Sequence, residues 1–182
     1  IRDRIKSFNL KNVQKGAAVF DLKRFNWVSS QHLAKLNDDA FIEAIHPFMK
    51  DEGIDDVAPN YKEILIAMRT SKTNLKEIAY ATRPFFFELE EYDEKGVNKF
   101  LKGSLETLTF ALETLSKISE WNETELDMAL INVRDYFNLP IPKVNQPMRI
   151  ALVGSTISPS LGLTLELFGK EKSLERIKTV SY

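Results

Sequence analysis

The sequence predicts an all-α fold, arranged as two small helical bundles packed end to end. Three observations carry this expectation. Apolar residues recur at i, i+3, i+4 and i+7 through most of the chain, the period of an amphipathic helix. A Ser, Thr, Asn or Asp stands ahead of nearly every such run, where it can cap a helix start. No stretch of useful length alternates apolar and polar residues, and no segment repeats.

The elements follow in order. Asp38 is placed to cap a helix carrying Phe41, Ile42, Ile45, Phe48 and Met49, which Pro47 should kink or shorten. Asn60 with Glu63 resembles a capping box for Tyr61, Ile64, Leu65 and Met68. Thr73 can cap a short helix with Leu75, Ile78 and Ala79. The chain turns acidic and polar over residues 92–96, which predicts a domain boundary and division into residues 1–92 and 93–182. Gly103 and Ser104 break or cap before a helix with Leu105, Leu108, Leu112, Leu115 and Ile118. Asn122 and Glu125 form a capping box for Leu126, Ala129, Leu130, Val133 and Phe137. Residues 139–142 read as a loop, because a residue before proline avoids helical backbone. Ile150–Val153 is ambiguous: it looks strand-like, but Asn145 as a cap and Pro147 near a first turn favour a short helix. Gly154 stops this element. Ser158 then serves as N-cap with Pro159 at the first position of a helix bearing Leu161, Leu165 and Phe168, and Gly169 ends it. Lys170, Lys172, Arg176 and Lys178 decorate a final helix.

Composition narrows the function classes. The 182 residues are 43% hydrophobic and 28% charged, enough for a core in one domain or two small ones. No apolar run is long enough to span a membrane, and the charged start lacks the apolar core of a signal peptide. The first residue is Ile, and the chain reads as part of something longer. With no cysteine, disulfides and thiolate zinc sites are excluded, which fits a reducing compartment. The net charge of −1 conceals a pattern. Residues 1–37, 68–83 and 149–182 are basic, while 38–67 and 84–148 are acidic. Basic blocks gathered on one side would make a face for phosphates; scattered ones would be solvated charge.

Three ordered segments resemble the C-terminal anticodon-binding region of bacterial glutamyl-tRNA synthetases, class I aminoacyl-tRNA synthetases. The first comprises Arg149 to Gly154, the turn Ser158-Pro159-Ser160-Leu161, and the Leu-rich run into Gly169-Lys170. The second is Val19-Phe20-Asp21 leading to Trp27, although Ser29 stands where the family usually has Asn. The third is Met68 to Glu77 with the aromatic run Phe85-Phe86-Phe87. Some members carry an Arg aligned with Ser71 that helps reject a wrong third anticodon base; Ser71 puts that strictness in doubt, with Arg69 and Lys72 flanking it. The resemblance spans Phe8 to Ile177.

The resemblance implies an anticodon-binding α-helix cage: a stem-contact remnant and first subdomain over 1–92, and a second over 93–182. The parent would be a cytoplasmic, monomeric glutamate–tRNA ligase. ATP and Mg²⁺ would serve its catalytic half, with no cofactor, metal or catalytic residue here and no membrane contact. The partner would be the tRNA for glutamate. Anticodon contacts would fall to Arg149, Ser158, Pro159, Leu161, Arg69 and Lys72, and tRNA backbone contacts to Arg2, Arg4, Lys6, Lys11 and Lys15.

The residues keep other readings open. Arg149 can stack on or pair with a base, and Leu161 can lie against a splayed one, yet a plain capped helix with a buried Leu accounts for the same residues. The triple Phe can stack bases or fill a core. Phe20, Leu22, Phe25 and Trp27 are expected to pack, with Asp21 as a turn or cap. His32 and His46 have no partner pattern and fit surface or capping roles. The rival class is a helical protein-interaction module without RNA binding, its acidic stretches facing a basic partner.

Overall fold

A computed structural model describes Asn9, Gly16 and residues 19–180. Helix α1 (Leu22–Lys35) starts where the Asp21 carboxylate accepts the Arg24 N–H at 3.1 Å, as a cap should. Its aromatics do not pack as the sequence suggested. Phe20 is 71%, Phe25 53% and Trp27 62% exposed, and Leu22 is exposed too. Leu33 is the buried residue of this helix, so the apolar residues before it sit beyond the edge of the core.

Helices α2 (Asp38–Asp51), α3 (Tyr61–Met68) and α4 (Leu75–Phe86) pack together as a first bundle. Caps fall one residue from the expected places. Asn37, not Asp38, accepts the Ala40 N–H at 2.8 Å, and Asn74, not Thr73, accepts from Glu77 at 2.9 Å. Asn60 opens α3 in left-handed backbone and makes no side-chain cap bond. Ordinary N-caps are extended, which is how their side chains reach the N3 amide. Pro47 neither shortens nor ends α2. The stripe of Phe41, Ile45 and Met49, each 0% exposed, holds the helix through the missing hydrogen bond.

The second group begins with α5, a helical turn Glu94–Gly96 that continues as a π-turn Val97–Leu101. There follow α6 (Leu105–Ser116), α7 (Glu123–Phe137), α8 (Ile141–Val153), α9 (Leu161–Phe168) and α10 (Lys170–Val180). Asn122 caps α7 through the Glu125 N–H at 3.0 Å, as the capping box required. The loop expected over 139–142 is shorter than predicted, because Pro142 enters the first turn of α8, where no N–H is needed. That helix runs through Asn145 and Pro147 to Gly154, so 146–153 is helical and Asn145 is not its cap. Likewise Ser160, not Ser158, caps α9 at the Leu163 N–H, which leaves Ser158 and Pro159 in the preceding loop. Gly154 and Gly169 end their helices with positive φ, as expected.

The two groups meet along α4, α8 and α10. Phe85 stacks on Phe168 with ring centroids 4.5 Å apart. Lys172 Nζ donates to the Phe85 carbonyl at 3.2 Å. Arg176, expected on the surface, is only 5% exposed. Its guanidinium lies 4.8 Å over the Phe168 ring and donates to the Leu152 carbonyl at 2.5 Å and the Phe87 carbonyl at 2.6 Å. These carbonyls end α8 and α4, which explains why the cation faces inward.

Tyr61 gives a first testable consequence. It is 3% exposed, and its hydroxyl has no hydrogen-bond partner among the described residues. Burial pushes its pKa up, with Asp56 and Asp55 adding to the effect. Tyr61→Phe should therefore leave stability unchanged or raise it by about 1 kcal/mol in urea unfolding. A phenol whose pKa is raised on folding favours the native state fully below its unfolded pKa, near 10. That contribution declines above about pH 10, as the unfolded chain ionises first. The variant should lose this share of the alkaline destabilisation.

Candidate nucleic-acid interface

A cavity of about 380 Å³ opens where the two groups meet. One wall comes from the first bundle and carries Lys72, Tyr80, Arg83 and Phe87. The opposite wall is the end of α8 and the loop after it, with Gly154, Ser155 and Ile157. A third side is acidic, lined by Glu88, Glu90, Glu91 and Asp93.

The α8–α9 loop is held in shape by Arg149. Its Nη1 donates to the Ser158 carbonyl at 2.8 Å, the Ser158 hydroxyl at 2.6 Å and the Pro159 carbonyl at 2.6 Å. Ser158 Oγ also lies 3.1 Å from Thr164 Oγ1, and Thr164 donates to the Ser160 carbonyl. The loop is thus prearranged before any ligand arrives. Burial lowers the Arg149 pKa, and no carboxylate bridges it among the described residues. A half-buried guanidinium without an anion is a favourable neighbour for a phosphate or a base edge.

The predicted site residues separate into three sets. Lys72 lines the cavity opposite Gly154, Ser155 and Ile157, the start of the α8–α9 loop, while Arg149, Ser158 and Pro159 lie further along that loop and outside the lining. Leu161 is only 2% exposed, and its side chain belongs to the core. It offers no apolar face to a splayed base, because it lies on the buried stripe with Leu165 and Phe168. Arg69 is also committed internally. It donates to the Leu36 carbonyl at 3.2 Å, pairs with Asp38 and lies 4.8 Å over the Phe41 ring. That pin joins α3 to the α1–α2 junction and leaves Arg69 little to give a ligand. Arg2, Arg4, Lys6, Lys11 and Lys15 lie outside the described residues.

Sequence reasoning missed Tyr80 and Arg83, which stand with Phe87 of the aromatic run. The Arg83 guanidinium sits 5.9 Å from the Tyr80 ring and 5.3 Å from the Phe87 ring, and is paired with Glu52 at 3.0 Å. Tyr80 is 60% exposed. Their spacing of i, i+3 and i+7 was a signal, since it puts all three on one face of the chain. Of the triple Phe, Phe85 is core, while Phe87 stands half open at the cavity.

Fold and site together define a helical module of two bundles with a cleft between them, Lys72 and Arg83 on one wall and the α8–α9 loop on the other. Residues 40–181 match the family described as the anticodon binding domain, and the chain belongs to that family. Among curated relatives, a glutamate–tRNA ligase of Legionella pneumophila is 29% identical over 98% of this chain. Glutamate–tRNA ligase 1 of Caldanaerobacter subterraneus is 30% identical over 98%. The chain spans 38% of the length of each. Among solved structures, a glutamate tRNA ligase from Elizabethkingia meningosepticum superposes with a TM-score of 0.78 at 23% identity, covering 99% of this chain and 36% of that one. A glutamate-tRNA synthetase from Elizabethkingia anophelis gives 0.72 at 23% identity, covering 99% and 35%. These likenesses establish the all-helical fold.

Proposed function

We propose that this chain is the tRNA-binding part of a glutamate–tRNA ligase, gripping the anticodon loop of the tRNA for glutamate. The observation that carries this reading is that Lys72 and the first residues of the α8–α9 loop line one cleft, in a chain of the anticodon binding family. In this reading Lys72 and Arg149 meet the RNA backbone at the cleft mouth. The amides and hydroxyls of the 155–160 loop read base edges, and Tyr80 offers a stacking face. The acidic side repels phosphate and orients the strand along the wall that carries Lys72. The two-part division at residues 92–93 belongs to the same proposal, each part supplying one wall.

The whole enzyme would join glutamate to its tRNA with ATP, as a monomer in the cytoplasm. ATP and Mg²⁺ would belong to the portion of the relatives that this chain does not match. Among the described residues no group of three or more His, Cys, Asp or Glu is placed to hold a metal. No described helix is long and apolar enough to cross a membrane.

Binding to the tRNA for glutamate should weaken about tenfold or more between about 50 and 200 mM salt. Lys72→Ala should cost about a further tenfold at low salt and flatten the salt slope by about one counterion. Titration of both proteins against labelled tRNA checks this. Salt-independent binding would sink the reading. The acidic lining of Glu88, Glu90 and Glu91 favours one rival, a module for a basic protein partner, which predicts no tRNA binding even at low salt.

A further inference from the structure

We propose that Arg176 is a positioning residue that locks the angle between the two helical groups and so fixes the width of the cleft. This deepens the anticodon-loop reading and rests on it for its RNA consequence. Arg176 sits on α10, outside the cavity. Yet one guanidinium nitrogen holds the carbonyl of Leu152, two residues before Gly154 on one wall, and the other holds the carbonyl of Phe87 on the opposite wall. A single planar group therefore joins both walls through backbone atoms, which cannot swing away as side chains can.

Its surroundings argue against a merely electrostatic role. Glu88 is the nearest carboxylate, at 3.9 Å, and is 86% exposed. Arg176 Nε is buried with no partner among the described residues. The Phe168 ring lies beneath the guanidinium plane, and Lys172 adds a second tie to Phe85. A buried cation with no close ion pair is an expensive way to gain stability, since an apolar residue of similar volume often serves as well. What the guanidinium adds is a fixed fork between two carbonyls. Lysine carries the charge but not that fork. Arg176→Lys keeps a folded protein and loses the lock.

The chain has no cysteine, so a pair introduced as Lys50→Cys and Lys117→Cys takes spin labels only there. Both positions are exposed, one in each helical group. Double electron–electron resonance should show one narrow distance in the parent and loss of that single narrow peak with Arg176→Lys. In parallel, discrimination between the glutamate tRNA and one altered in its third anticodon base should fall about tenfold, the scale of one well-placed base contact, while the salt slope stays unchanged. An unaltered narrow distance in a folded Arg176→Lys protein would overturn the lock. So would unchanged discrimination where the parent protein discriminates. If the Lys variant does not fold, Arg176→Met, which fills a similar volume without the fork, is read by the same criteria. A parent protein that shows no discrimination refutes the anticodon reading instead, and the distance measurement still decides the lock.

Discussion

Gly154→Ala is expected to destabilise the protein by about 2–4 kcal/mol, most of it from backbone that cannot relax. Gly154 ends α8 with φ +67°, a conformation that costs other L-residues about 1–2 kcal/mol. A Cβ there would lie 2.6 Å from the Glu91 carbonyl oxygen and 3.3 Å from Leu89 Cδ2. The Glu91 oxygen belongs to the main chain, and its segment is tied back by the Asp93 N–H to the Gly154 carbonyl at 2.7 Å. Space can be made only by moving residues 89–93 off the end of α8, which would also distort the cavity wall. Gly103→Ala is the control. Gly103 has φ +81°, but a Cβ there meets nothing within 4 Å. It should cost only the conformational part, about 1 kcal/mol. Urea unfolding of the two variants should separate strain from collision, and equal costs would contradict the account.

Phe168→Ala should cost about 3–5 kcal/mol, the range for deleting a buried aromatic and leaving a cavity. Phe168 is 9% exposed and lies at the junction of the groups rather than in the middle of either. Its ring stacks on Phe85 from the first bundle and supports Arg176 at 4.8 Å and Lys172 at 5.7 Å. Removing it therefore takes away apolar contact across the junction and the face against which two partly buried cations rest. Melting should fall by about 2–4 °C per kcal/mol for a chain of this size. Phe168→Leu should recover much of the lost volume and of the melting temperature. A fall of less than about 1 kcal/mol for Phe168→Ala would mean that the two groups do not depend on this contact.

The helices were legible because apolar spacing and cap chemistry pointed the same way. The capping box at Asn122 was placed correctly, as were the glycine stops at 154 and 169. Caps slipped where two or three capping residues stand side by side, as with Asn37 beside Asp38 and Asn74 beside Thr73. Local chemistry cannot choose between such neighbours, and packing does. Pro142 and Pro47 misled because a proline's effect depends on its place in the helix and on the stripe beneath it. The site was legible in part. Arg149 and the 158–161 turn stood out as a cation beside a loop, and the fold sets Lys72 across a cavity from the start of that loop. Leu161 did not, since a residue on a buried stripe looks the same in sequence whether or not the stripe opens at its end. Arg69 and Arg176 look like surface cations among other basic residues. Their commitment to carbonyls of distant elements, Leu36, Leu152 and Phe87, appears only once those elements are assembled.

We propose that this chain reads an anticodon loop. The most direct test is equilibrium binding of the 182-residue chain to an unmodified glutamate tRNA and to the same tRNA with its third anticodon base changed, at low and moderate salt. The account predicts salt-sensitive binding to both, tighter for the unaltered tRNA by about tenfold, as expected for one lost base contact. Equal affinity for the two tRNAs would contradict anticodon reading and leave only backbone docking, and absence of binding at low salt would contradict the account as a whole.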